Sequence, residues 1–297
     1  MGRVFAMKDN DLFMEMKVNP SFQVFLETLS VLPAISPLSN KLFTLIDDPN
    51  VSIAVIGSLI AEDPGLASRL ITVANSPFYP FSEKVSTIRG ALVRLGLVTV
   101  RGILLTTSLF DRVKDQPGVF ELWKHSLGVS RVAKNLSLRM EGVMNPDEAT
   151  LAGLLHDIGK LPFLIFKPRR MESIWKTSPR SGKDSDWELE EFGLSHDQLG
   201  GRLLTQWKFP EVIRDSIRWH HHPEKCPVKS RRSAALIGLA DTICRGVGIG
   251  HADFPYMDAP LGAFLDVLEM QGEEIVPVIQ EVIGDRDMIE MASREIF

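Results

Sequence analysis

The sequence has few of the residues that mark specialised classes of protein. Its 297 residues include only two cysteines, Cys226 and Cys244. Two cysteines cannot form a disulfide framework, and they fit a reducing cytosol. Basic residues are not in excess: 33 Lys and Arg stand against 38 Asp and Glu, a net charge of −5. A nucleic-acid binder usually carries a basic face, so we expect no nucleic-acid partner.

Long hydrophobic runs are also missing. The most apolar stretches, such as Val51–Ala61 and Val98–Phe110, are too short or too polar to span a bilayer. The N-terminus is interrupted by Arg3, Lys8 and Asp9, so it offers no apolar core for a secretory signal. These features predict a cytoplasmic protein without a membrane partner.

Helical spacing of apolar residues runs through almost the whole chain. No hairpin signal, such as Asn-Gly between two alternating strands, interrupts it. A capping side chain followed by proline indicates a helix start at Asp48-Pro49, at Asp63-Pro64 and at Asn145-Pro146. The stretch Lys167–Asp186 is polar and contains proline and glycine, which indicates that part of it is a loop. The pattern predicts an all-α protein.

The histidines divide the chain into two parts. Residues 1–117 carry none of them and are predicted to form an N-terminal helical subdomain. Residues 118–246 are predicted to form a helical core, and residues 247–297 a loop and two helices that cap it. All seven histidines follow the boundary, at His125, His156, His196, His220, His221, His222 and His251.

Five predicted helices place an imidazole or a carboxylate on an apolar stripe. In the helix near Val119–Met140, for example, His125 lies three residues after Leu122 and four before Val129. A second helix, predicted near Glu188–Trp207, places His196 on its apolar stripe in the same way. One such residue could be a core histidine bonded to a backbone carbonyl, because a buried polar group needs a partner. Several together favour convergence on divalent metal ions, which accept histidine nitrogen and carboxylate oxygen. The residues are His125, His156, His196, His220 and Asp241.

The most specific motif lies at Leu154–Lys160, which reads Leu-Leu-His-Asp-Ile-Gly-Lys. This string resembles the signature of the HD superfamily of metal-dependent phosphohydrolases. The rest of that pattern can be followed through the chain and is complete, as in the dinuclear members. It consists of Trp123-Lys124-His125-Ser126, His196 after Glu191-Phe192-Gly193, the pair His220-His221, and Ala240-Asp241.

The resemblance implies two divalent metal ions, with iron or manganese expected. A carboxylate such as Asp157 can bridge two ions about 3.5–4 Å apart. The implied ligands of the first ion are His125, His156, Asp157 and Asp241, and those of the second are Asp157, His196, His220 and His221. Because His220, His221 and His222 are consecutive, a slip of one residue leaves open which two of them are ligands. We expect His222 in a solvated turn.

Asp157 and Lys160 are the candidate catalytic residues. Lys160 could steady a phosphate group as a nearby point charge, or it could simply favour a helix end where the dipole stabilises a cation. Arg169 and Arg170 are candidate substrate-binding residues, together with Lys160. The alternative is that both arginines belong to a solvated charged stretch.

A narrower resemblance extends from about residue 25 to 245. Leu32-Pro33, the stretch Ile60–Phe78 and the stretch Ile88–Leu97 look like the N-terminal half of HDOD domains, which are bacterial signalling modules. The related HD-GYP phosphodiesterases carry a Gly-Tyr-Pro element after the histidine pair. Here the chain reads His222-Pro223-Glu224-Lys225, which argues against hydrolysis of cyclic di-GMP.

The resemblance implies a fold and leaves three functions open. The fold is an HD-superfamily helical bundle with an additional N-terminal helical subdomain. The first function is a metal-dependent phosphohydrolase or phosphodiesterase acting on a nucleotide or a signalling dinucleotide. The second is a regulatory module that docks on signalling protein partners, which fits a large N-terminal half without catalytic residues. The third is a di-iron oxygenase, since histidine and carboxylate ligands also suit oxygen chemistry.

Overall fold

The fold is helical throughout the part of the chain that the structure describes. A computed structural model describes residues 18–30, 37–46, 48, 50–76, 83–177, 184–250 and 261–296, and these residues contain no strand. The all-α prediction is confirmed. In chain order the helices are α1 (Pro20–Ser30), α2 (Pro37–Ile46), α3 (Ile53–Ala61), α4 (Pro64–Ala74), α5 (Ile88–Val113), α6 (Val119–Arg139), α7 (Pro146–Leu155), α8 (Lys160–Phe166), α9 (Pro168–Thr177), α10 (Asp184–Phe192), α11 (His196–Gln206), α12 (Glu211–Trp219), α13 (Val228–Gly246), α14 (Leu261–Leu268), α15 (Val276–Gly284) and α16 (Arg286–Ile296), with 3₁₀ turns at Pro223–Lys225 and Gly272–Ile275.

Two of the three predicted helix starts are confirmed. The side chains of Asp63 and Asn145 cap α4 and α7, and a proline follows each cap in the first turn. The third prediction is wrong, because the Asp48 side chain accepts a hydrogen bond from the backbone of Asn50 in a turn. Ser52 is the residue that caps α3.

Helix α5 connects the N-terminal helices to the rest of the fold. It breaks at Gly96, whose backbone has φ 73° and ψ 155°, a combination that glycine tolerates better than other residues. Helices α2, α3 and α4 pack against α5, and α5 in turn packs against α7 and α8. Leu92, Ile103 and Leu104 of α5 are fully buried in this packing. The N-terminal helices therefore share a core with the helices that carry the His-Asp motif.

Two stretches of the described residues are long and apolar enough to cross a membrane by length and composition, Ile88–Val113 and Pro146–Phe166. The predicted apolar run Val98–Phe110 thus belongs to a longer helix than the sequence indicated. Of the most apolar window in each stretch, 67% and 89% lie buried inside the fold, as in the core helices of soluble proteins. Their apolar character is therefore explained by the core, and the cytoplasmic location stays a prediction.

The histidine-bearing core is a bundle of α6, α7, α11, α12 and α13. Helix α6 packs against α7 and α13, and α12 packs against α7, α11 and α13. Helix α14 covers α13, while α15 and α16 pack on α6. The two predicted capping helices are therefore an undercount, since three α-helices lie within residues 261–296. The predicted domain boundaries stay predictions.

One further difference concerns the segment between α8 and α12. The pattern near Glu188–Trp207 predicted one helix, but Gly193 with φ 79° follows the end of α10, and Ser195 caps α11. The polar stretch predicted to be partly a loop contains α9 and the start of α10. That part of this stretch is a loop stays a prediction. Residues 178–183 lie outside the described residues.

Candidate metal centre

The predicted ligands converge because glycines let their helices approach closely. An added Cβ on Gly159, beside the His-Asp motif, would lie 2.0 Å from the carbonyl oxygen of His196. An added Cβ on Gly238 of α13 would lie 2.1 Å from the carbonyl oxygen of His220. Real Cβ contacts are never this short, so only glycine permits these two approaches. The segments that carry Asp157, His196 and His220 are thereby held against each other.

One group of ligand atoms comes from His125, His156 and Asp241, which are buried and lie within 4.8 Å of one another. Nδ1 of His125 donates to the carbonyl of Ile249 at 3.0 Å, so the neutral ring turns an unprotonated Nε2 toward Oδ1 of Asp241 at 2.9 Å. A nitrogen lone pair and a carboxylate oxygen at this distance share a cation, which is either a proton or a metal ion. Nδ1 of His156 donates to the carbonyl of Gly153, and its buried Nε2 has no hydrogen-bond partner.

The second group comes from His196, His220 and His221, whose ligand atoms also lie within 4.8 Å of one another. Nδ1 of His220 donates to the carbonyl of Ile217 at 2.7 Å, and its buried Nε2 has no hydrogen-bond partner. The Nε2 atoms of His196 and His221 are 2.9 Å apart. These ring nitrogens therefore point at a common position, as they would around one ion.

Asp157 lies between the two groups. Its Oδ2 is 3.3 Å from Nε2 of His156, and its Oδ1 is 3.2 Å from Nε2 of His196. Oδ1 is buried without a hydrogen-bond partner, whereas Oδ2 accepts a hydrogen bond from Nζ of Lys160 at 2.9 Å. One carboxylate thus presents one oxygen to each histidine group, which is the placement that a bridging ligand requires.

The electrostatics keep His220 and Asp157 in the forms that bind metals. Burial, together with the rings of His156 and His196, lowers the pKa of His220 to about 3. Burial raises the pKa of the Asp157 carboxyl, but His156, Lys160 and His196 lower it by more, so it lies well below its usual range. Neutral imidazole and ionised carboxylate are the forms that coordinate metals. The donor set and its unpartnered atoms fit divalent ions.

Two residues that contact the candidate ligands, Glu188 and Arg245, were not predicted from the sequence. Oε2 of Glu188 on α10 lies 2.6 Å from Nδ1 of His196 and also accepts from the His196 backbone N–H at 2.7 Å. Burial lowers the pKa of His196, but Glu188 and Asp157 raise it by more. Nε of Arg245 donates to Oδ1 of Asp241 at 2.8 Å. A carboxylate behind a ligating histidine fixes its ring orientation, and such partners are common around metals.

The three consecutive histidines, His220, His221 and His222, lie in different surroundings. His220 and His221 both join the second ligand group, whereas the side chain of His222 is 52% exposed, with its Nδ1 3.3 Å from Glu224. The structure therefore brings together the pair that the resemblance implied and leaves His222 in the solvated turn. His251 lies outside the described residues. That the five histidines and two aspartates of the two groups are metal ligands stays a prediction; they are His125, His156, Asp157, His196, His220, His221 and Asp241.

Lys160 and the two arginines occupy different surroundings. Lys160 is 1% exposed and is the first residue of α8, the end where the helix dipole disfavours a cation. The helix-dipole explanation of Lys160 is therefore wrong, and Asp157 is its partner. Arg169 and Arg170 lie exposed near the start of α9, and Arg170 donates to Glu191 at 3.0 Å. Their role in substrate binding stays a prediction.

Comparison with known proteins adds a family and a fold. The HDOD domain family matches residues 32–223. The crystal structure of an HDOD domain protein of unknown function from Geobacter sulfurreducens is 28% identical, with a TM-score of 0.66 over 93% of this chain and 98% of that chain. A candidate metal-dependent phosphohydrolase from Shewanella amazonensis is 19% identical and shares the fold, with a TM-score of 0.56 over 91% of this chain and 98% of that one.

A curated relative extends beyond the matched region. An uncharacterized protein of Treponema pallidum is 22% identical over 247 residues, which are 81% of this chain and 47% of the relative. The chain spans about half the length of the curated relative it matches.

Proposed function

Since this chain belongs to the HDOD domain family, we propose that its buried histidines and aspartates bind two divalent metal ions and hydrolyse a phosphoester in bacterial signal transduction. The observation that carries the proposal is the position of Asp157, whose two oxygens face His156 and His196 at 3.3 and 3.2 Å. Buried nitrogen and oxygen atoms without partners on both sides of it support two adjacent ions.

Four of the candidate histidines are held in fixed orientations. A ring that donates through Nδ1 to a backbone carbonyl offers Nε2 to a metal, as His125, His156 and His220 do. His196 is oriented in the same way by the Glu188 carboxylate. Two bound divalent ions would neutralise phosphoryl charge and lower the pKa of a water molecule. We propose iron or manganese, since both accept histidine and carboxylate ligands.

Lys160 is the candidate residue for charge stabilisation. Its ammonium is buried and touches the Asp157 carboxylate, so it lies beside the proposed ions and cannot move far. A fixed positive charge at this position would favour an anionic phosphoester over a neutral ligand. A nucleotide or another phosphoester is therefore the substrate class that we propose.

The test combines metal content with turnover. The full-length chain is reconstituted anaerobically with Fe²⁺ or with Mn²⁺, and hydrolysis of bis(p-nitrophenyl) phosphate is followed with and without oxygen. We expect metal-dependent release of p-nitrophenol that is retained without oxygen and falls in Lys160→Gln, whose metal content stays near that of the wild type. Turnover only with oxygen would contradict hydrolysis and favour oxygenase chemistry.

A regulatory module is the second candidate function. The N-terminal helices leave apolar side chains in solvent, with Val93 and Val98 on α5 exposed by 63% and 42%. A contiguous exposed apolar patch marks a protein-binding surface, and we propose that these two side chains belong to one. Full metal occupancy without turnover of any phosphodiester, with or without oxygen, would favour this second function and a signalling protein as partner.

A further inference from the structure

Helix α1 contacts α8 and α10, which lie far from it in the chain. The contact is made by five phenylalanines that we call the aromatic cluster: Phe22 and Phe25 of α1, Phe163 and Phe166 of α8, and Phe192 of α10. The ring centroid of Phe22 lies 5.2 Å from that of Phe163 and 5.1 Å from that of Phe192. These three rings are fully buried, so burial and ring contacts together fix α1 against α8 and α10.

Hydrogen bonds join the start of α1 to the end of α10. The backbone N–H of Asn19 donates to the carbonyl of Phe192 at 2.9 Å, and Nδ2 of Asn19 donates to the carbonyl of Glu191 at 3.4 Å. The last carbonyls of a helix have no acceptor role within it, so Asn19 supplies donors that the end of α10 needs. Oδ1 of Asn19 accepts from the backbone N–H of Ser21 at 3.0 Å and caps α1. Asn19 therefore fixes two helix ends against each other.

On α10 the aromatic cluster lies one helical turn from a carboxylate of the candidate metal centre. Phe192 follows Glu188 by four residues, so the two side chains share a face of the helix. Oε2 of Glu188 accepts from the backbone N–H of His196 at 2.7 Å and lies 2.6 Å from Nδ1 of the same residue. Glu188 is fully enclosed, so it keeps both contacts only while α10 holds its position.

Ion pairs are a second attachment of α10, but a weaker one. Glu191 pairs with Lys167 at 2.6 Å and with Arg170 at 3.0 Å. The side chains of Lys167 and Arg170 are partly exposed, and ion pairs of this kind contribute little to stability. Burial of a whole phenylalanine ring contributes more. The position of α10 therefore depends mainly on the aromatic cluster.

We propose that Phe22 is a positioning residue for the second group of candidate ligands. Through its contact with Phe192 it holds α10, and through α10 it holds the Glu188 carboxylate on His196. A carboxylate that orients a ligating histidine raises the affinity for the metal. The inference rests on the proposed metal binding and goes beyond it, because α1 carries no candidate ligand and yet determines the affinity for one of the two ions.

The first test is a double-mutant cycle in the full-length chain. Mn²⁺ affinity is measured by competition with a fluorescent chelator in wild type, Phe22→Ala, Glu188→Gln and the double variant. We expect Phe22→Ala to weaken binding of one ion by about 10- to 100-fold, as Glu188→Gln does. The double variant should bind no more weakly than Glu188→Gln alone, because both changes act on one contact. Additive losses, or wild-type affinity in Phe22→Ala, would overturn the proposal.

Leu104→Ala is the matched control for lost core packing. Leu104 is fully buried in α5, so its truncation also leaves a cavity and lowers the melting temperature. Affinities are compared well below the melting temperature of each variant. We expect both variants to melt below the wild type and Phe22→Ala alone to lose metal affinity. An equal loss of affinity in both would assign the effect to general stability and contradict a positioning role.

Amide hydrogen exchange of the metal-free protein, followed by NMR, tests the contact without any ion. The backbone N–H of His196 donates to Glu188, so it should exchange slowly in wild type and in Leu104→Ala. We expect it to exchange about tenfold faster, or more, in Phe22→Ala. Unchanged exchange in Phe22→Ala would contradict the proposal. A wild type that binds no metal would overturn the proposed function instead, and the exchange rate would still decide the role of Phe22.

A milder variant keeps the test decisive if Phe22→Ala does not fold. Phe22→Leu retains an apolar side chain and removes the ring that contacts Phe192. We expect smaller changes of the same sign in Mn²⁺ affinity and in exchange of the His196 N–H. Wild-type values of both quantities in Phe22→Leu would contradict a positioning role for the ring.

Discussion

The N-terminal helices and the histidine-bearing core solve the same packing problem in different ways. Buried hydroxyls of the N-terminal helices donate back to their own helix, as those of Ser76, Thr106 and Thr107 do. In the core, Nε2 of His156 and Nε2 of His220 are equally buried but have no partner. Buried polar atoms without partners need an explanation, and bound metal ions are the explanation that we propose.

The largest expected effect is a loss of bound metal from the histidine-bearing core, with the N-terminal helices unaffected. Asp157→Ala removes the carboxylate that faces both histidine groups, so bound metal should fall from about two ions per chain to nearly none. Asp111→Ala is the matched control, because it removes a carboxylate of α5 that pairs with Arg69 at the surface. Elemental analysis measures the metal, and circular dichroism checks helix content. Unchanged stoichiometry in Asp157→Ala would contradict the bridging role.

The second expected effect is a lower free energy of unfolding, caused by a change in the N-terminal helices that leaves metal binding intact. Leu104 of α5 is fully buried, so Leu104→Ala should lower the free energy of unfolding by about 2–5 kcal/mol through lost apolar contact and a cavity. Metal stoichiometry of the folded protein at 25 °C should not change, because Leu104 is not one of the candidate ligands. Denaturant unfolding and elemental analysis test the two halves of this prediction. A parallel loss of metal would show that the two regions are not separable.

The third expected effect is a lower metal affinity when a residue that orients a candidate ligand is changed. Glu188→Gln weakens the contact that orients His196, so metal affinity should fall about 10- to 100-fold. Glu191→Gln on the same helix is the control, since that carboxylate pairs instead with Lys167 and Arg170. Competition with a fluorescent chelator measures both affinities. Equal affinities would exclude Glu188 as a positioning residue.

The smallest effect is a pH dependence confined to the core. The folded state lowers the pKa of His220 from 6.5 to about 3, so between these values the unfolded chain binds more protons. Stability of the metal-free protein should therefore fall as pH drops below about 6.5, by up to about 1.4 kcal/mol per pH unit from this residue. His220→Gln should flatten the dependence measured by urea unfolding, whereas the exposed control His222→Gln should not. Identical slopes in the two variants would contradict a buried neutral His220.

The sequence predicts the helical class and the convergence of the candidate ligands, but some partners of the site have no sequence signal. The spacing of His125 and Asp241 on apolar stripes is enough to place them in the core. Glu188 lies in the acidic run Trp187-Glu188-Leu189-Glu190-Glu191, and nothing in that run distinguishes the inward carboxylate. The apolar stripe continues across Gly193, so its periodicity predicted one helix where the structure has two, α10 and α11.

The central claim is that the unpartnered atoms around Asp157 bind two metal ions. Elemental analysis of full-length protein purified without added metal or chelator tests it most directly. The account predicts close to two equivalents of iron or manganese per chain. Near-zero metal that anaerobic reconstitution with either ion does not restore would contradict it.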